Sequence, residues 1–461
     1  MSVVVAFASP SARLHRHWSL PRRPPCAQQP RTPPVTLIGR PQHRVRAVNK
    51  VALDTADIGH RARIIRRRRG MSVEVAAGLA GISKGYLSML ERGQRRFERR
   101  GLLEDLAAAL GCAVADLTGQ PYLPVDRASA DALACLPAIS VALHDSTLSD
   151  APDVPARPVS VLARLAAEAN RHTDETRYAL AGRGLGAVLS ELHTRVVADE
   201  GEDRQAALAA LVEACIAAAG MARPLGHAEL SAAATRRGYD AARYLDDPAL
   251  TGFAAMQHAS SLTRIGAAHR AKAARTETLA VLGETDPTAP DTRPAEAEAA
   301  LCLGIGALAA RSARPGDVEY YFGRAAEIAE RTGARETLRF HLSPAQVRAW
   351  RLSATVESGD GPGAAERIDS PEPFASLASA TRVGRAHLDF ARAYAQAEGA
   401  RDAEAIRHLD AADRVASSRI RHDPIGRELV GILHRRARRQ VWELDSLRNR
   451  FGIDRSRAVN N

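Results

Sequence analysis

The chain has 461 residues, 45% of them apolar but only 4% aromatic, and carries a formal net charge of +11. That length suits about two to four domains. A core drawn mainly from Ala, Leu, Val and Ile leans towards helix, because Ala and Leu are strong helix formers. Five scattered cysteines, Cys26, Cys112, Cys135, Cys215 and Cys302, exclude a disulfide framework and a paired-cysteine zinc site, and read as small buried apolar residues. No run of 18 uninterrupted apolar residues occurs, so no membrane span is expected and the cytoplasm is the expected compartment.

Basic residues are almost all arginine, with three lysines at Lys50, Lys84 and Lys272. Such a bias, beside abundant Ala and Gly, marks a GC-rich coding sequence, so the charge becomes informative only once it is located. Residues 1–50 and residues 58–100 each sum to +9, whereas residues 101–461 sum to −5. A basic head on a mildly acidic body is the pattern of a nucleic-acid-binding module joined to a soluble domain.

Residues 1–50 hold eight prolines, nine basic residues and no acid, and are expected to be a disordered Pro/Arg-rich extension. Three readings compete for it: a basic arm for DNA phosphates, a targeting peptide, or a segment upstream of a true start at Val48 or Val51. The last is preferred, because no cation precedes the apolar run at the amino terminus and the prolines spoil an amphipathic helix.

Residues 55–120 read as five short helices. Ile58, Ala62 and Ile65 form one apolar stripe on the first. Ser72 is placed to cap the second, which offers Ala76, Ala77 and Ala80 for close packing before Gly81 supplies a tight turn. Ser83 caps the third, with Leu87 and Leu90 inward, Lys84, Gly85, Ser88 and Met89 outward, and Gly93 as its stop. Gly59, Arg66, Gly70, Ser72, Ala77, Gly81, Ser83, Leu87, Ser88, Leu90, Glu91, Gly93, Leu106, Ala107, Leu110 and Gly111 stand at the spacing of the Cro/cI-type (XRE) helix-turn-helix family, which this segment of about 60 residues resembles. The resemblance implies that the third helix enters the major groove of double-stranded DNA. It implies DNA contacts from Ser72, Val73, Ser83, Lys84, Gly85, Tyr86, Ser88, Met89 and Arg92, and a buried ion pair between Arg66 and Glu91.

Two departures limit base readout. Val73 stands where the family usually has a phosphate-binding Gln, and Gly85 has no side chain, so Lys84 is the one good donor, with guanine as its usual target. Met89 offers apolar contact. Direct readout is therefore sparse, and shape and phosphate contacts are expected to carry much of the recognition. The loop 94–101 is longer and more basic than is usual in the family, and Arg95 and Arg96, with Arg99 and Arg100, are expected to contact phosphates.

Prolines 121, 124, 137, 152, 155 and 158 punctuate a connector over residues 121–159, with a helix at 128–136. Residues 160–453 are repeated amphipathic helix, broken at turns such as Gly201, Gly220 and Asp246–Pro248, and residues 454–461 form a tail. Cys302, Ile305, Gly306 and Ala309, then Val318, Phe322 and Ala325, match the small-residue offsets of the tetratricopeptide (TPR) repeat. Phe390, Ala391 and Tyr394 with Ala405, Leu409 and Ala412 form a weaker copy. The expected fold class is all-α: a five-helix helix-turn-helix head followed by a TPR-like α-solenoid. In regulators that this architecture resembles, the concave TPR surface takes a short signalling peptide and the body dimerises. A homodimer is expected here too, with a peptide, small-molecule or protein effector on the body. The segment 424–451 reads as a solenoid cap or a dimerisation helix, the cap being preferred.

No metal-binding, phosphate-loop or nucleophile motif occurs. Gly182-Arg183-Gly184-Leu185-Gly186 follows no strand and reads as helix packing or a turn. No enzyme, cofactor or metal is expected. Two functions follow: a sequence-specific transcription regulator, or an interaction scaffold whose body binds a partner while the head only localises it.

Overall fold

The computed structural model describes residues 57–453, apart from 313, 334–337, 369–373 and 375. The basic extension at 1–50 and the tail at 454–461 lie outside the described residues. Among the described residues all regular structure is helical, and the molecule is a helical head followed by a helical body.

The head comprises α1 (Ile58–Arg68), α2 (Val73–Leu79), α3 (Lys84–Glu91), α4 (Arg100–Leu110) and α5 (Val114–Thr118). Its core gathers Ile58, Ala62, Ala76, Ala77, Leu87, Leu90, Phe97, Leu106 and Leu110. The expected caps are in place, with the Ser72 hydroxyl accepting from the Val75 amide (3.1 Å) and Ser83 from Tyr86 (3.2 Å). Gly59 is required for a different reason from the turn glycines. A Cβ there would lie 1.9 Å from the Leu90 carbonyl oxygen, so only glycine lets α1 lie against the end of α3.

The body begins earlier than the proline pattern suggests. A single helix, α6 (Arg127–His144), carries Pro137 in its interior and buries Ala132, Leu136, Ile139 and Leu143 in the body core. Residues 127–144 therefore belong to the body, and the connector shrinks to the short stretches on either side. The glycines at 182–186 serve packing and a turn. Added Cβ atoms would strike Cys135 at position 182 and the Ala138 backbone at 186, while Gly184 has φ +73°. Gly220, expected at a turn, lies inside α10 (Gly201–Ala222). This helix is long and apolar enough to cross a membrane by composition, yet two-thirds of its apolar window is buried among neighbouring helices, with Leu208, Leu211 and Cys215 fully covered.

Beyond it, successive helices joined by short turns pack in pairs. α12 (Pro248–Arg264) lies on α13 (Ala268–Leu282), and α14 (Arg293–Arg311) on α15 (Pro315–Thr332). α16 (Pro344–Ser358) and α17 (Gly361–Arg367) precede α18 (Ala380–Ala395), which lies on α19 (Asp402–Ile420). Of the residues singled out for small-residue packing, Cys302, Ile305, Gly306, Ala309, Phe322 and Ala325 in one pair and Phe390, Ala391, Tyr394, Ala405, Leu409 and Ala412 in the other are buried, whereas Val318 is only partly covered. The segment 424–451 divides into α20 (Pro424–Arg436) and α21 (Trp442–Arg450), whose Leu429, Ile432, Leu433, Leu444 and Leu447 are buried in the body core.

A buried histidine ties α6 into this body. His193, fully buried, donates from Nδ1 to the Leu189 carbonyl (2.7 Å), while its Nε2 meets Arg237, which also donates to the carbonyls of Leu143 and Ser146 at the end of α6. Burial pushes the imidazole down to about 4 against the pull of its bond to Leu189, and the Arg237 cation lowers it further. The folded state thus holds the neutral ring, and the unfolded chain binds the proton first. The stability contributed is complete above about pH 6.5 and is lost as the pH falls towards 4. At 1.36 kcal/mol per pH unit, the loss is about 3 kcal/mol. Urea unfolding at pH 7 and pH 5 should show this slope, and His193→Gln should lessen it, leaving the part due to His258, which burial also pushes down to about 4. An unchanged slope would remove His193 as its source.

Candidate nucleic-acid interface

α3 presents its N-terminal half outward. Lys84 and Gly85 are exposed, Ser88 and Met89 are partly so, and Leu87 and Leu90 turn into the core. The Lys84 ammonium rests on the Glu74 carboxylate at 3.3 Å, with both side chains more than 60% exposed. An exposed pair of this kind is worth no more than about 1 kcal/mol, so Lys84 is free to swing to a base or phosphate. Ser72 and Ser83 sit exposed at the starts of α2 and α3, Val73 is half-covered at the first turn of α2, and Arg92 is exposed at the end of α3. Tyr86 is half-buried against the head core and lends its ring to packing.

α3 is held by the Arg66–Glu91 pair. Arg66 donates Nε to Oε1 at 2.5 Å and Nη2 to Oε2 at 2.7 Å, and Nη1 reaches the Met71 carbonyl at 2.7 Å. Both side chains are buried. One planar guanidinium thus fixes α1, the start of α2 and the end of α3 together. The bidentate geometry suits Arg and not Lys.

Other arginines of the basic head bind carbonyls within it. Arg61 donates to the Thr118 carbonyl (3.0 Å) and Arg69 to the Gly111 carbonyl (2.6 Å), joining α1 to the end of the head. The loop at 94–101 departs furthest from expectation. Arg96 is one-fifth exposed and lies between Asp57 (3.0 Å) and Glu428 of α20 (3.2 Å). Arg100 binds Asp423 (2.9 Å) and Asp389 (3.4 Å). Arg99 donates to the Glu357 carbonyl at 3.4 Å. Arg95 alone of the four remains half-exposed, with the exposed Glu398 at 3.0 Å. Arg96, Arg99 and Arg100 thus lie at a junction between head and body, where carboxylates and, for Arg99, a backbone carbonyl hold the places expected for phosphates.

That junction is built around α4. Its N-cap, Arg99, makes no side-chain cap. Instead the Glu357 carboxylate from α16 accepts from the Arg100 and Gly101 amides (3.2 and 3.0 Å), which places a negative charge at the positive end of the helix. Arg392 of α18, 1% exposed, donates to Glu357 (2.5 Å), to Asp389 (2.6 Å) and twice to the Glu98 carbonyl (3.2 and 3.0 Å). Ile425 of α20 is buried in the head core. Nothing in the sequence marked Arg392, Glu357, Asp389 or Asp423, because their partners lie some 250 to 320 residues away.

Comparison with known proteins agrees with this geometry for the head and extends no further along the chain. No curated protein and no solved structure matches. The family model described as a helix-turn-helix domain matches residues 57–118, the span that folds into α1 to α5. Residues 57–118 are a helix-turn-helix domain of the DNA-binding kind.

Proposed function

We propose that the chain is a cytoplasmic, sequence-specific transcription regulator of the Cro/cI type, whose TPR-like body dimerises and senses an effector. The observation that carries this reading is the outward face of α3, with Lys84 and Gly85 exposed and Ser88 and Met89 partly so, on a helix clamped from behind by Arg66 and Glu91. A helix so placed fits the major groove with its first two turns at the base edges. The paired helices of the body and their small-residue packing support the TPR-like reading. One small head covers little DNA, which favours a homodimer on paired half-sites.

Since Arg96, Arg99 and Arg100 are committed to the junction, phosphate contact falls to Ser72, Ser83, Arg92, Arg95 and the exposed Arg67 and Arg68. The test is selection of bound genomic fragments by the full chain, followed by affinity measurement on the enriched sequence. Lys84→Ala should weaken that affinity about 10- to 100-fold, the worth of a good base contact, and relax preference at one base pair. If no sequence is enriched and Lys84→Ala binds as before, the scaffold reading replaces this one.

A further inference from the structure

Between head and body lies a cavity of about 290 Å³, floored by Arg100, Gly101 and Glu104 of α4 and walled by the body helices. Nine arginines line it against four carboxylates. The carboxylates are already engaged: Asp174 with Arg382, Glu104 with Arg311, and Glu357 and Asp389 with Arg392. Among the described residues, Arg223, Arg264, Arg275 and Arg419 have no carboxylate within 4.0 Å. Arg385 has only the shared Asp389, at 3.8 Å.

These cations come from five helices and converge. Burial, and then the neighbouring guanidiniums of Arg264, Arg419 and Arg385, push Arg223 down to about 9. Burial also pushes Arg385 to about 9, with Arg100, Arg419 and Arg264 adding to the effect against Asp389. Yet arginine does not give up its proton in a protein. Arg223, Arg264, Arg385 and Arg419 are each partly exposed, Arg385 with 36% of its side chain uncovered, so an anion entering the cavity meets these charges directly and offsets their mutual repulsion. Helix ends offset a fraction of it, since Arg223, Arg264 and Arg419 sit at or near the C-termini of α10, α12 and α19. The buried Nε atoms of Arg223 and Arg275 and the Oε1 of Gln346, all at the cavity wall, have no hydrogen-bond partner.

We propose that this cavity is the binding site of a small phosphorylated metabolite, held by Arg223, Arg264, Arg385 and Arg419 and read by the DNA-binding head through Arg100 and Glu104. A phosphate carries up to two charges and three acceptor oxygens, and guanidinium forks match it. A lone carboxylate cannot satisfy four converging cations. The volume is at the small-molecule end of the range. Trp350, Phe253 and Phe340 add an apolar wall for the organic portion. As a statement about regulation, the proposal rests on the reading above that the body senses an effector. As a binding site it stands on the cavity.

The test uses the full chain, with inorganic pyrophosphate, ATP and citrate at millimolar concentration and sodium chloride matched for ionic strength. Pyrophosphate or ATP should raise the unfolding temperature by about 3–5 °C near saturation, and should change the fluorescence of Trp350, compared with Trp350→Phe. A larger shift with ATP assigns the aromatic wall to the base. Arg223→Gln/Arg264→Gln should unfold in plain buffer no lower than the parent, because it removes mutual repulsion, and should lose the ligand shift. A purely structural role for these arginines predicts the opposite in buffer. The proposal is overturned if neither phosphate compound exceeds the salt control, if citrate alone does, or if the double variant keeps the shift. Binding that leaves DNA affinity unchanged would uphold the site and reject the sensing role.

Discussion

Arg392→Ala is expected to lower the stability of the full chain by about 3–5 kcal/mol, the cost of removing one partner from a buried ionic cluster. The side chain is 1% exposed and satisfies two carboxylates and a backbone carbonyl at once. Burial alone would raise the Glu357 carboxyl, but Arg392, Arg100 and the Gly101 amide outweigh it and hold the group below its usual range. Asp389 follows the same pattern, with Arg392 the largest of the charges opposing burial. Deleting Arg392 therefore takes the closest cation from two buried carboxylates, leaving Glu357 to the α4 amides and Asp389 to Arg100 and Arg385, and strips the Glu98 carbonyl of its two side-chain donors. Arg392→Lys should recover only part of the loss, since one ammonium cannot span three acceptors on different elements. The damage should be local to the junction. Hydrogen exchange should quicken at the Arg100 and Gly101 amides, while α3 amides stay protected, because the head core lies almost wholly within residues 57–118. A urea midpoint shift worth less than about 1 kcal/mol would show that the cluster is not what joins head to body.

The charge asymmetry that marks the sequence acquires a second meaning at this junction. Part of the head's basic excess is internal: Arg95, Arg96 and Arg100 face Glu398, Glu428 and Asp423 of the body. A run of arginines looks the same in sequence whether phosphates or distant carboxylates neutralise it, so local composition could not separate the two uses. The head was legible because its signals are local. Ser72 and Ser83 cap helices by reaching three residues ahead, Gly81 and Gly93 occupy left-handed turns, and Arg66 and Glu91 sit at fixed offsets on two short helices. The body's helices were legible from their apolar periodicity, but the start of the body was misplaced. Pro137 reads as a break, whereas the stripe Ala132, Leu136, Ile139 and Leu143 continues through it, and tertiary burial outweighs the lost hydrogen bond. The arginine cavity was not legible at all. Its cations are single residues at the ends or on the faces of helices scattered over some 200 residues, and only packing brings them together.

Arg66→Ala should do to the head what Arg392→Ala does to the junction, with a sharper consequence for function. The cost is again about 3–5 kcal/mol, because the Glu91 carboxylate would be left buried and the Met71 carbonyl would lose its donor. A domain of about 60 residues has little stability to spare, so the head should be largely unfolded and DNA binding lost while the body keeps its helical signal. Glu91→Ala should behave alike, stranding a guanidinium with one carbonyl. The double variant Arg66→Met/Glu91→Leu should be far more stable than either single one, since an apolar pair of similar bulk replaces a buried ion pair at little net cost. Head stability is read from hydrogen exchange at α3 amides, and DNA affinity from the enriched operator. If a single substitution shifts the exchange by less than about 1 kcal/mol, the pair does not clamp the reading helix. Recovery of both stability and affinity in the double variant would confine the pair to positioning α3. Recovered stability without affinity would instead place Arg66 or Glu91 in the DNA interface, against the burial that both side chains show.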